Sequence, residues 1–196
     1  MGTPGGLRER KKEATRQALH EAAMRLAVEH GLDAVTVESI ADAAGVSRRT
    51  FSNYFAGKED AVLYGDEQRV ERMLETFSDR PADETTWTAL RLAFHSLYDE
   101  AGEPDPQWAA QSRIARQHPG VLGRQLAHYA TLERRLAEEI RAREGLPAGN
   151  RRARVIAAAF LGSMRLAAHI WAEEQPPGPR RALIDEILDE MARPFT

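Results

Sequence analysis

Between Ser47 and Lys58 the chain places Ser47, Arg48, Arg49, Thr50, Ser52, Asn53, Tyr54 and Lys58 in one short stretch that holds three cations and no acid. Guanidinium groups match guanine O6 and N7 or a phosphate, hydroxyl and amide groups serve phosphate oxygens, and each cation set against a phosphate releases counterions. The chemistry on offer is recognition of nucleic acid rather than the making of bonds. A second basic cluster, Arg8 to Arg16, has five basic and two acidic residues, with Thr15 and Arg16 at its end. The net charge of the whole chain is −3, but residues 1–60 are balanced at nine of each sign, so both clusters sit in a neutral region. Residues 61–196 carry 18 arginines against 21 acids, a poor surface for phosphate, which assigns nucleic-acid contact to the first third.

Other chemistries find no residues. Cysteine is absent, which removes disulfides, thiol catalysis and cysteine zinc ligation. The six histidines, His20, His30, His95, His118, His128 and His169, never stand three or four apart, so no helix presents a two-histidine metal pair. No phosphate-binding GxxxxGK, GxSxG elbow or dinucleotide glycine fingerprint occurs, and neither an enzyme nor a cofactor is expected. The start MGTPGGLRERKK lacks an apolar leader, and Val155 to Met164 is too short an apolar run to span a bilayer. A cytoplasmic location without a membrane partner is the expectation.

The basic stretch needs elements to present it. Val37, Ile40, Ala41 and Ala44 recur at helical spacing behind Thr36, a good N-cap, and Gly45 follows where a helix end calls for a left-handed residue. Ser47 then caps a second short helix, which Phe51 and Phe55 anchor while its polar residues face outward. Two helices joined by a tight glycine turn form a helix-turn-helix. Around it, Leu19, Ala22, Ala23, Leu26 and Ala27 predict a helix from about Arg8 or Arg10 to His30, and residues 58–77 predict a long helix with Glu59 and Asp60 in its first turn. Further helices are expected over 84–100, 108–117, 120–144, 150–174 and 180–193, separated by Pro- and Gly-containing breaks. The architecture is all-α with about nine helices. Residues 1–9 form a disordered tail, 10–57 a helix-turn-helix domain, and 58–196 a ligand-binding and dimerisation domain.

Val35 to Val62, VTVESIADAAGVSRRTFSNYFAGKEDAV, resembles the DNA-binding signature of the TetR family of bacterial transcription regulators. The shared residues are Thr36, Ile40, Ala41, Ala44, Gly45, Val46, Ser47, Thr50, Tyr54, Phe55, Lys58 and Glu59, in the family's order and spacing. Arg49 stands where a small residue is frequent, Ser52 where an aromatic is frequent, and Gly57 where a serine often caps the following helix. The resemblance implies a homodimer whose second helix-turn-helix element enters the major groove of a palindromic operator. Ser47, Arg48, Arg49, Thr50, Ser52, Asn53 and Tyr54 would form the reading surface, with Thr15, Arg16, Thr36 and Lys58 on phosphates. It also implies a small-molecule effector in the C-terminal domain that shifts the long helix and releases the DNA.

Beyond residue 65 only helix number and length resemble the family. The last two helices, through Val155, Ile156, Ala159, Phe160, Met164, Ala167 and Ile170, then Leu183, Ile184, Ile187, Leu188 and Met191, are expected to pair two copies as a four-helix bundle. Trp87, Arg91, Phe94 and Tyr98 share one helix face, and with Trp108, Arg113, His128, Met164 and His169 they are candidates for ligand contact. Tyr129 and Trp171 are further large groups on neighbouring helices. A cation among them facing a cavity would favour an anionic effector. The alternatives are a helical ligand-binding or enzymatic domain that keeps the helix-turn-helix only for packing, and a TetR-type activator without ligand response.

Overall fold

The computed structural model describes residues 6–101, 110, 113–114, 117–174 and 180–193. Among these the regular structure is all helix, with no strand: α1 (Leu7–His30), a 3-10 turn (Leu32–Ala34), α2 (Val37–Ala43), α3 (Arg48–Ser52), α4 (Lys58–Ser78), α5 (Thr86–Ala101), α6 (Pro119–Arg143), α7 (Arg151–Glu174) and α8 (Arg180–Ala192). The ends agree with the expected ones to a residue or two. The helix expected over 108–117 lies largely outside the described residues, although Ala110, Arg113, Ile114 and Gln117 are helical.

Local signals set the helix ends. Pro119 opens α6, where its missing N–H has no partner to lose, and Gly145 closes it at φ 62°, with the Leu146 N–H returning to the Arg141 carbonyl at 3.0 Å. Arg143, in the last turn of α6, stacks over Phe77 at 5.5 Å and donates to the carbonyls of Arg80, Pro81 and Glu84, which ties the α4–α5 turn to the end of α6.

Two apolar cores result. The first gathers Leu19, Ala23, Leu32, Ile40, Phe51, Phe55, Val62 and Tyr64 from α1 through the first turns of α4. The second gathers Phe77, Leu90, Leu132, Leu136, Ile140, Phe160, Ile184 and Leu188 from α4 to α8. Helix α4 runs through both. Unexpectedly for residues so far along the chain, Ile114 and Val121 belong to the first core, and Val121 is fully buried there.

Most of the apolar stripe of α8 packs within the same protomer: Ile184 and Leu188 are fully buried and Ile187 nearly so, while Leu183 and Met191 are half-buried. A one-stripe helix has a single apolar face, and α5 and α7 occupy it; Glu186 and Glu190 lie outside. On α7, Phe160 and Ala167 are likewise internal, whereas Val155 and Leu166 remain 65% and 46% exposed. Residues 151–171 are long and apolar enough to cross a membrane by length and composition. Their inner face nevertheless fills the second core, and Arg151, Arg154 and Arg165 stand on the outer one, as in a core helix.

Polar ties join the helices as well. His95 is buried between α5 and α8, its Nδ1 accepting from Arg181 at 3.0 Å and its Nε2 2.9 Å from Asp185; burial holds its pKa below the usual imidazole value, so the ring is neutral. In the first core His20 Nδ1 lies 2.8 Å from the Ala61 carbonyl, which identifies Nδ1 as the donor. The Tyr64 hydroxyl donates to Glu13, and burial followed by that carboxylate pushes its pKa up to about 12. A Cβ at Gly65 would stand 2.7 Å from His20 Nε2, so the α1–α4 crossing depends on the missing side chain.

Gly65→Ala is therefore expected to lower stability by about 1–3 kcal/mol despite alanine's better helix propensity, a fall in melting temperature of roughly 2–10 °C by calorimetry. A melting temperature equal to or above wild type would contradict the tight crossing.

Candidate nucleic-acid interface

Thr36 opens the helix-turn-helix with a reciprocal cap: its hydroxyl accepts from the Ser39 N–H, and Ser39 Oγ accepts from the Thr36 N–H, both at 3.1 Å. Helix α2 ends at Gly45, φ 68°, with the Val46 N–H bonding the Ala41 carbonyl at 2.9 Å and the Gly45 N–H bonding Asp42 at 3.0 Å. That paired closure needs a left-handed residue at 45 and points the chain directly into α3. Ser47 caps α3, accepting from the Thr50 N–H at 3.0 Å, while its Oγ lies 2.9 Å from Thr50 Oγ1.

Beneath α3, Phe51 and Phe55 are buried with ring centroids 5.7 Å apart, and Phe55 meets Tyr64 edge-on at 5.6 Å. Above it, Ser47, Arg48, Arg49, Ser52 and Asn53 are exposed, with Thr50 and Tyr54 half-buried at the margin. The expected reading residues thus form one outward patch on a rigid base. Arg48 is held at 2.8 Å by Glu38 of α2, a partner that no periodicity in the sequence announces.

The expected phosphate contacts divide differently. Thr36 is exposed, and its hydroxyl is engaged in the cap. Thr15 is half-buried, with its hydroxyl turned back to the Lys11 carbonyl at 2.9 Å. The Arg16 guanidinium lies over the rings of Tyr64 and Phe55, at 5.1 and 5.7 Å, and is half-buried. Lys58 donates to the carbonyls of Leu32 and Val35 at 2.8 and 2.9 Å, closing the 3-10 turn against the start of α4. Both cations hold the domain together, whatever else they do. The exposed positive charge nearest the start of α1 comes instead from Arg8, Arg10, Lys11 and Lys12.

The ligand candidates are not brought to one place. Trp87 and Phe94 pack edge-on against Phe160, at 6.1 and 6.4 Å, and Met164 is half-buried beside the same core. Arg91 bonds Asp189 and lies 3.8 Å from Asp185, an α5–α8 tie rather than a cation facing a cavity. Arg113 is exposed, His128 half-buried, and His169 pairs with Glu173 at 3.0 Å on the surface. Trp108 and the side chain of Tyr98 lie outside the described residues. Among the described residues, Trp87 borders an open cleft of about 720 Å³ with Thr86, Glu144 and Met191, and His169 borders a separate groove of about 320 Å³ with Leu122, Tyr129 and Leu166. No group of three or more metal-ligating side chains occurs among the described residues.

Comparison with known proteins bears on the family and the fold. The family described as bacterial regulatory proteins, tetR family, matches residues 19–63, and that described as MftR C-terminal domain matches residues 84–196. The chain is similar to the HTH-type transcriptional regulator TcmR of Streptomyces glaucescens, 33% identical over 173 residues that cover 85% of this chain and 76% of the relative. MftR of Mycobacterium tuberculosis is 25% identical over 178 residues, 89% of this chain and 88% of that one. In fold it resembles Thermus thermophilus FadR in complex with lauroyl-CoA (TM-score 0.61, 21% identity, 92% of this chain and 95% of that one). A SmeT–triclosan complex is equally similar in fold (TM-score 0.61, 20% identity, 93% and 96%); SmeT is the repressor of a Stenotrophomonas maltophilia multidrug efflux pump.

Glu38 and Arg48 are both exposed, so their pair adds at most about 1 kcal/mol to folding. Its larger effect is on the charge that α3 offers to DNA. Glu38→Gln is expected to leave the melting temperature nearly unchanged and to raise affinity for duplex DNA several-fold at low salt, with a salt dependence steeper by up to about one ion. Weaker binding would show instead that Glu38 aims Arg48 at its target.

Proposed function

The chain belongs to the tetR family of bacterial regulatory proteins and is a DNA-binding transcriptional regulator; from that premise we propose that it is a ligand-released repressor. In this reading residues 10–57 read a palindromic operator, and residues 58–196 pair two copies and take up a small molecule. The observation that carries it is the patch of Ser47, Arg48, Arg49, Ser52 and Asn53, exposed together on a helix whose other side is locked into the core. Arg48 and Arg49 address base edges, Thr50, Ser52, Asn53 and Tyr54 contact bases or backbone, and Thr36 with the start of α1 meets phosphates.

One five-residue helix reads too few base pairs for specificity, so two are needed, about one helical turn apart or a multiple of it. The outer face of α7 supports such pairing. Val155, Ala158, Gly162 and Leu166 form an open strip of apolar and small residues flanked by Arg151, Arg154 and Arg165, while the outer face of α8 is acidic at Glu186 and Glu190. Two-fold packing of α7 and α8 sets the basic strip of one chain against the acidic face of the other.

For the effector, Phe94, Tyr129 and Met164 are large side chains left half-buried around the second core, and they favour a molecule with a substantial apolar part. The titled ligands of two relatives in fold, lauroyl-CoA and triclosan, support that class. Occupancy shifts α4, and the two readers no longer match the half-site spacing.

Titration of the full chain against the DNA upstream of its own coding sequence tests the reading. Log affinity is expected to fall linearly with log salt, and Arg49→Ala to weaken binding by about 1–3 kcal/mol, roughly tenfold or more. In a promoter–reporter assay the chain is expected to lower output. Salt-independent binding, or none, would end the DNA reading; raised output would make the chain an activator.

A further inference from the structure

Helix α6 belongs to the C-terminal half of the chain, yet its first turns are built into the DNA-binding half. Val121 is fully buried in the same core as Phe51, Phe55 and Tyr64. His118, the residue before α6, has Nδ1 3.3 Å from Asp33 in the 3-10 turn that precedes α2. Arg124, one turn on from Val121, forms an ion pair with Asp60 in the first turn of α4. Lys58 ties that same 3-10 turn to α4. Three elements, the 3-10 turn, the start of α4 and the start of α6, are therefore knotted at one point beneath the reader.

The two long helices continue side by side from that point. Asp60 pairs with Arg124 and Glu71 with Arg135, the same offset of 64 residues in both cases, so α4 and α6 run parallel and in register. Eleven residues separate the pairs along each helix, about 16 Å or three turns. The upper pair is bidentate, with the second bond at 2.7 Å, and Arg135 holds the Glu71 carboxyl below the usual carboxylate range. Further up, Ser78 donates to Glu139 at 3.0 Å. Sliding α6 along α4 would break both ion pairs and draw Val121 from its seat, and packed interfaces of this kind shift between discrete arrangements rather than deform smoothly.

We propose that Val121 and Arg124 are positioning residues for DNA recognition: they lock α6 to α4 and to the 3-10 turn, so that the reader follows the displacement of a two-helix unit rather than of α4 alone. This rests on the reading of the chain as an operator-binding regulator. It adds a second connection from the ligand-binding half to α2 and α3, carried by residues that touch no DNA in the proposed complex. An effector that moves α6 without contacting α4 would release the operator as effectively as one that pushes α4.

A double-mutant cycle in the full chain tests it, with Arg124→Gln, Asp60→Asn and the double variant, each measured for affinity to the upstream DNA at fixed salt and for amide hydrogen exchange. Each single change is expected to weaken DNA binding about five- to tenfold, and the double variant no more than either, because all three lose one pair. Exchange in residues 32–36 and 58–64 is expected to quicken at least fivefold while residues 132–140 stay as in wild type. The pair is partly exposed, at 46% for Arg124 and 26% for Asp60, so the melting temperature changes by a few degrees at most. Glu71→Gln is expected to weaken DNA binding in the same direction although it stands three turns up the helix.

Losses that multiply in the double variant would show that Arg124 acts directly on phosphate and would overturn the proposal. Affinities within twofold of wild type with unchanged exchange would overturn it as well. Should the wild-type chain bind no DNA, the functional reading fails by itself, and the exchange comparison still decides whether α6 holds the DNA-binding half.

Discussion

A helix of five residues has no stability of its own in water, because nucleation fixes several residues for a single hydrogen bond. Helix α3 exists because Phe51 and Phe55 are pressed into the first core against Tyr64 and because Ser47 and Gly45 fix the chain's entry. The exposed patch of the helix-turn-helix depends on that seat. Arg48, Arg49, Ser52 and Asn53 are presented together only while the two phenylalanines are buried. The turn before them has no slack, since the Gly45 and Val46 amides are both committed to α2.

Charge is divided between inside and outside work. Lys58 and Arg16 carry the same sign as Arg48 and Arg49, yet the first binds two carbonyls of the 3-10 turn and the second lies over Tyr64 and Phe55. A cation with carbonyl or ring partners braces the domain and adds to the positive potential of the helix-turn-helix half without needing to reach a phosphate. In the C-terminal half, Arg91, Arg135 and Arg143 are likewise engaged by carboxylates and loop carbonyls, which cross-braces a region whose acids outnumber its arginines.

Much of this was legible from residue types. Thr36, Gly45 and Ser47 are local signals whose partners lie within five residues, and the Phe51 and Phe55 pair follows helical spacing, so the helix-turn-helix could be read before the structure was known. The TetR resemblance includes Thr36, Gly45, Ser47 and Phe55 among its shared positions. What escaped was every contact set by distant partners. Nothing near Lys58 marks Leu32 and Val35 as its acceptors; Arg91 shows no sign of Asp185 and Asp189, almost a hundred residues on; and Val121 reads as an ordinary apolar residue of a C-terminal helix. The α8 stripe was seen correctly as apolar, but periodicity alone does not say whether α5 or a second chain covers it. Nor does helical spacing tell a core aromatic from one that lines a cavity: Trp87 and Phe94 share a helix face and both pack on Phe160.

Helices α4 and α6 each contribute to both cores, α6 through Val121 in the first and Leu132, Leu136 and Ile140 in the second. The central claim is that α3 is built by its buried side, and the operator affinity of Phe51→Ala in the full chain tests it most directly. The substitution costs about 3–5 kcal/mol of packing confined to the first core. Operator binding is predicted to fall at least a hundredfold while the helix content of the C-terminal half persists; affinity within threefold of wild type would contradict the account.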